Sequence, residues 1–271
     1  MKTAVITGGN SGIGKEVAIA LAKENYQVII HGRDEDKTRK ANVEIKSASG
    51  NDHIDYVIGD ISTIKGMKEV VAAIKAKTDS IESLVLSTGV ILPNRVETTD
   101  GLESMFTIQY LSRFAITQLL LPELQKGKAK IIHVGASKIK NAQIFFDDIP
   151  LKNNFSMFKA MGQCMYANYL FTEEFAKRYA DSGMVMNIGH VGLAKTGIAR
   201  DSNFLLKFAV NVMGKTAKDA ARKFTYLASD PSVTYSGYSF TKAGNTSYKE
   251  KVNYDAAAAT KLWDKSLELI K

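Results

Sequence analysis

The chain has 271 residues, of which 45% are apolar, a formal net charge of +8 and one cysteine. That length and composition support one large α/β domain with a full core and exclude a disordered chain. The lone Cys164 excludes an internal disulfide and a multi-cysteine metal centre, and the four histidines (His31, His53, His133, His190) lack metal-ligand spacing. No apolar run is long enough to span a membrane, and the first residues do not read as a signal peptide, so a cytoplasmic protein is expected. The positive charge is dispersed. It suits a polyanionic cofactor better than nucleic acid or anionic lipid, and no nucleic-acid partner is expected.

In chain order, short β-rich runs alternate with longer helical patterns. Residues 4–7 read as a strand, 15–24 as a helix, and 27–31 as a second strand before the charged stretch 33–42. Residues 54–58 read as a third strand, 64–77 as a helix, and 83–87 as a fourth strand. A long helix over 105–121 is stopped by Pro122. Residues 130–134 read as a fifth strand, 160–179 as a helix, and 184–189 as a sixth strand. Such alternation implies right-handed crossovers and a parallel sheet covered on both faces. There is no repeat, linker or low-complexity tract.

The first strand runs directly into Thr7-Gly8-Gly9-Asn10-Ser11-Gly12-Ile13-Gly14. Glycines there let the backbone turn tightly and bring a helix N-terminus up to a pyrophosphate, whose charge the helix dipole and N–H groups stabilise. A glycine trio alone is a weak signal, but between a strand and a helix at the start of an alternating chain it is strong. An NAD site would carry an acid after the second strand. This chain has His31-Gly32-Arg33. Arg33 suits a 2′-phosphate and an adenine face, with Asn10, Ser11 and Lys15 as further donors, so NADP(H) is expected. The competing reading pairs Arg33 with Asp34 or Asp36. Asp60 is placed to accept from an adenine amino group or, alternatively, to cap the segment starting at Ser62.

These residues resemble the short-chain dehydrogenase/reductase family nearly end to end. The family's glycine pattern is Thr7 to Gly14, its Asp-Ile pair is Asp60-Ile61, and its Asn-Asn-Ala-Gly becomes Leu86-Ser87-Thr88-Gly89. Phe106-Thr107-Ile108-Gln109-Tyr110-Leu111 resembles its Phe-x-x-Asn-His-Leu, and His190-Val191-Gly192 with Thr196 its His-Pro-Gly…Thr segment. Phe146-Asp147-Asp148-Ile149 and Lys261-Leu262-Trp263 point to a subgroup similar to retinol dehydrogenases and protochlorophyllide reductases. Together with the alternation, the resemblance implies a single-domain, Rossmann-type, doubly wound α/β fold with a parallel sheet of about seven strands. It also implies that Gly8, Asn10, Ser11, Gly12, Ile13, Gly14, Arg33, Asp60, Ile61, Ser87, Gly89 and Thr196 bind the cofactor.

In that family a tyrosine transfers the substrate proton and a lysine four residues on holds the cofactor ribose. A serine and an asparagine complete the set. Gly162-Gln163 and the run 167–172 fix a register that puts Met161 at the tyrosine, Met165 at the lysine, Ala136 at the serine and Gln109 at the asparagine. A rival register at 155–159 keeps Lys159 but replaces the tyrosine by Phe155. Methionine has no proton to give, so the expected protein has a usable cofactor loop beside a depleted reaction centre. Ser137 is the leading substitute hydroxyl. Tyr169 and His133 are read as core, and Cys164 as helix packing. Residues 195–215, with an apolar run over 203–213, stand where the family carries a substrate lid, which suggests a small hydrophobic substrate; the competing reading is a helix packed on its own subunit or on a partner. Two functions remain open: an NADP(H)-dependent reductase of atypical mechanism, or a retired or repurposed member that binds cofactor or partners or does non-redox chemistry. By analogy the helices over 105–121 and 160–179 would pair copies into a homodimer or homotetramer.

Overall fold

Strand β1 (Thr3–Thr7) is buried at every position, which is why it reads as a continuous apolar run. The computed structural model describes residues 1–135, 142–192, 216–240, 249–251 and 255–271. After β1 come α1 (Gly12–Lys23), β2 (Gln27–Gly32), α2 (Glu35–Ser49), β3 (Ile54–Ile58), α3 (Ile64–Lys75) and β4 (Ser83–Leu86). Then follow α4 (Ser104–Phe106), a π-helical turn (Thr107–Leu111), α5 (Ser112–Leu119), α6 (Leu121–Gly127), β5 (Lys130–Gly135) and α7 (Met157–Arg178). Strand β6 (Val185–His190), α8 (Ala217–Ser229), β7 (Tyr238–Phe240), β8 (Lys249–Lys251) and α9 (Ala256–Leu269) complete the described elements.

The strands form one sheet in the order β3-β2-β1-β4-β5-β6-β7-β8. The pairings from β3 through β7 are parallel, and β8 adds an antiparallel edge. Seven parallel strands flanked by helices make the doubly wound fold read from the sequence. Alternate residues of each strand feed opposite faces. Val5, Leu84, Leu86 and Ile131 pack with α3, α5, α7 and α9. Ala4, Ile6, Val85 and Ile132 pack with α1, α2 and α8. Strand order reverses between β1 and β4, where Thr7 pairs with Leu86. A crevice opens beyond the carboxyl ends of strands at such a reversal, and this is the general ligand position in open α/β sheets.

Three sequence expectations need correction. The helix expected over 105–121 is broken into α4, a π turn and α5, and Pro122 does not end it. Pro122 sits in the first turn of α6, where its missing N–H would have had no helical partner. The charged stretch 33–42 belongs to α2, which Asp34 opens by accepting from Lys37 N at 2.8 Å and Gly50 closes at φ +70°. Beyond residue 213 the sequence reading names no further element, yet α8, β7, β8 and α9 follow.

Candidate active site

The loop after β1 is shaped by steric necessity. Gly8 and Gly12 have φ of +68° and +55°, the left-handed region that favours glycine. A Cβ on Gly14 would lie 2.4 Å from Ser87 Oγ and 2.5 Å from Gly8 O, so only glycine lets α1 approach the strand ends this closely. Ser87 braces the junction by donating its hydroxyl to Thr7 O at 2.5 Å. Helix α1 then starts with no side-chain cap on Ser11 and no acid in its first turn. Its dipole and N-terminal N–H groups are available to an anion. Gly8, Asn10, Ser11, Gly12, Ile13 and Gly14 all line one cleft of about 450 Å³, and Ser87 and Gly89 join them from the β4 side.

Arg33, Asp60 and Ile61 fall outside this lining. Arg33 is exposed at the entry to α2 and makes no ion pair among the described residues. The competing pairing does not form: Asp34 caps α2, and Asp36 pairs with Arg39 at 3.0 Å. Lys15 is taken up by Glu44 at 2.8 Å. Asn10 donates to Thr38 Oγ1 at 2.9 Å, tying the loop to α2 over Gly32. Lys37, which the sequence reading did not single out, lines the cleft. Asp60 is exposed and accepts from Ser62 N at 2.9 Å, whereas the cap of α3 is Thr63. Ile61 is buried in the core. Thr196 and the lid segment 195–215 lie outside the described residues.

At the other end of the cleft stand Gln109, Met161 and Met165, three of the four positions that the resemblance assigns to catalysis. The fourth, Ala136, and the substitute Ser137 lie outside the described residues. Gln109 sits in the π turn, and its carbonyl accepts from Asn168 Nδ2 at 2.8 Å. π turns recur at functional sites because they redirect side chains without ending the helix. Tyr169, read from sequence as core, is buried but also lines the cleft, and its hydroxyl lies 2.6 Å from His190 Nε2. Burial, reinforced by the charge of Lys223, pulls His190 down to about 4, and Lys223 Nζ donates to His190 O at 2.6 Å. Cys164 is a buried thiol whose ionisation burial pushes well up. His133, expected to be a satisfied strand residue, has no hydrogen bond of good geometry at either ring nitrogen among the described residues. Burial first, and the Arg113 charge second, hold it well below the usual histidine range.

Arg113 is the residue the sequence reading missed. It lies one turn beyond Gln109 on the same helical face, is 5% exposed, and lines the cleft. Its Nη2 donates to Val134 O at 2.9 Å and Thr88 O at 3.1 Å. Nε and Nη1 bond to nothing among the described residues, and no carboxylate pairs with the side chain there. The signal was an arginine set within Tyr110-Leu111-Ser112-Arg113-Phe114-Ala115-Ile116, an otherwise core-forming stretch.

With this geometry in place, comparison with known proteins settles the lineage. A family model described as short chain dehydrogenase matches residues 2–146. The chain belongs to the short chain dehydrogenase family. Human retinol dehydrogenase 13 is 29% identical over 99% of this chain and 84% of its own length. Human polyprenol dehydrogenase is 27% identical over the same shares. A 3-oxoacyl (acyl-carrier-protein) reductase from Agrobacterium tumefaciens C58, solved with NADP bound, aligns with a TM-score of 0.71. It covers 90% of this chain and 93% of that one at 19% identity, a likeness of fold alone. The two subgroup signals from the sequence meet in space, with Lys261 Nζ 4.4 Å from the centre of the Phe146 ring.

Proposed function

We propose that this chain is an NADP(H)-dependent oxidoreductase that reduces a small hydrophobic substrate by an atypical route. Met161, Met165 and Ala136 stand in it where the family's tyrosine, lysine and serine would stand. One observation carries the reading: a single cleft joins the glycine loop at one end to Met161 and Met165 at the other. The loop fits a dinucleotide, since Gly14 admits no Cβ and α1 opens without a competing acid. Gly8, Ser11, Gly12, Ile13 and Gly14 would hold the pyrophosphate and Arg33 the 2′-phosphate, with Asp60 and Thr196 as further contacts. The cofactor, when bound, supplies a hydride. The protein's part is to bind, to exclude water with the apolar lid over 195–215, and to position the acceptor against the methionines.

Positioned acid–base catalysis contributes typically about 10² to 10⁴-fold. Methionine cannot supply it, and an apolar wall leaves a developing alkoxide unsupported. The substrates that fit are those needing little protonation, such as an iminium or a polarised enone, with Ser137 the hydroxyl nearest to the family position. The names of the relatives, retinol and polyprenol dehydrogenase, support an apolar substrate. A second reading is a cofactor-binding protein without turnover. It is favoured by the thinness of the titratable lining: Lys37, Arg113, Cys164 and Tyr169 are the only ionisable side chains of the cleft among the described residues.

Titration of the protein with NADPH, followed by fluorescence, tests the first step. Ketones, enones and imines are then offered to the complex. The oxidoreductase reading expects tight NADPH binding and oxidation with an enone or imine but not with a simple ketone. Binding without oxidation across the panel favours the second reading, and no binding overturns both. Arg33→Ala should weaken NADPH about tenfold and leave NADH unchanged, the scale of one charge-assisted hydrogen bond. The reading includes a cytoplasmic location, which fractionation of cells checks. No described helix is long and apolar enough to cross a membrane.

A further inference from the structure

A guanidinium in water is fully solvated, and one placed inside a protein is ordinarily matched by a carboxylate. Among the described residues Arg113 has no such match. Two backbone carbonyls occupy its Nη2, while Nε is buried without a partner and Nη1 makes no bond among the described residues. The groups that face it from the neighbouring elements offer no compensating anion. His133 on β5 is held neutral, and Cys164 on α7 stays a thiol. Glu103, ahead of α4, spends its carboxylate on Met105 N and Phe106 N at 2.9 and 2.8 Å. The cleft therefore ends in a fixed positive charge with unused donors, set in an apolar wall where water screens poorly.

We propose that Arg113 is the anion anchor of this cleft, and that the substrate is an apolar molecule bearing a carboxylate, which pairs with the unused guanidinium donors. This deepens the oxidoreductase reading and rests on it for the word substrate. An anion entering the cleft relieves the unpaired buried cation and gains charge-assisted hydrogen bonds from Nη1, since Nε is buried and Nη2 is taken by Thr88 O and Val134 O. A neutral molecule of the same shape gains neither. The difference between acid and neutral analogue should be roughly ten- to a hundredfold in affinity.

The test uses the full chain saturated with NADPH and two probes, octanoate and octanamide, titrated by calorimetry. Octanoate should bind at least tenfold more tightly and should raise the melting temperature, while octanamide does neither. Arg113→Met should remove the preference and leave NADPH affinity within about twofold. Arg113→Lys keeps the charge, so part of the preference should survive even if the methionine variant fails to fold. Equal binding of the two probes by the unaltered protein overturns the proposal. So does an acid preference that persists in Arg113→Met, or a variant that loses NADPH instead, which would assign the cation to the cofactor. Failure of the unaltered protein to bind NADPH is a separate result and strikes the oxidoreductase reading.

Discussion

Gly14 shows how little room the cofactor loop leaves. An alanine methyl there would sit 2.4 Å from Ser87 Oγ and 2.5 Å from a backbone carbonyl, and the carbonyl cannot swing aside. Gly14→Ala should cost about 1–3 kcal/mol in urea unfolding, the range for forced overpacking, and should lower NADPH affinity more than tenfold. The two buried histidines make an acid prediction. His133 and His190 both have folded values below that of the unfolded chain. The unfolded state therefore binds more protons as pH drops below about 6.5, and stability must fall with it. For His190, held at about 4, the loss between pH 6.5 and 4 is on the order of 3 kcal/mol. Urea midpoints measured at pH 7 and 4.5 should differ accordingly. His133→Leu removes a buried imidazole whose protonation burial opposes, and should shrink the difference.

Among the elements, α9 closes the aromatic cluster. Its Trp263 meets Phe114 edge-on at 5.2 Å and Phe171 at 5.8 Å, and carries the Arg178 guanidinium 4.5 Å above its ring. Ser266 Oγ lies 2.7 Å from the buried hydroxyl of Tyr110. Trp263→Ala should cost about 3–5 kcal/mol in chemical denaturation, since a large buried side chain is lost and the packed helices cannot collapse onto the gap. Strands β1 through β6 were legible because each is a short run dominated by apolar residues, mostly buried except in the edge strand β3, where only Ile54 and Val57 are. Helix α8 repeats Ala220, Ala221, Phe224, Leu227 and Ala228 at helical spacing, so its signal was present but unread. The π turn was not legible: Thr107-Ile108-Gln109-Tyr110-Leu111 has no breaker, and the extra residue follows from how Asn168 and the sheet engage that stretch. In the site, the glycine loop could be read because its constraint is local. Arg113 gave only the weak signal of a cation in a core-forming stretch, because its meaning lies in what distant segments set around it: Thr88 after β4, Val134 on β5 and Cys164 on α7.

For the whole molecule, the sheet, the switch point and the cleft follow from chain order, whereas the state of assembly does not. The helices through which copies were expected to pair also meet α9, with Phe114, Phe171 and Tyr179 around Trp263. Light scattering of the purified protein reads the assembly state: the family analogy expects a dimer or tetramer, and a monomer overturns it. The Tyr110–Ser266 bond spans 156 residues. Contacts of such separation form late, because the loop they close is long. During synthesis the aromatic core must wait for Trp263 and Ser266 to clear the ribosome, so nascent chains arrested upstream of them should be held by chaperones and cut readily by proteases.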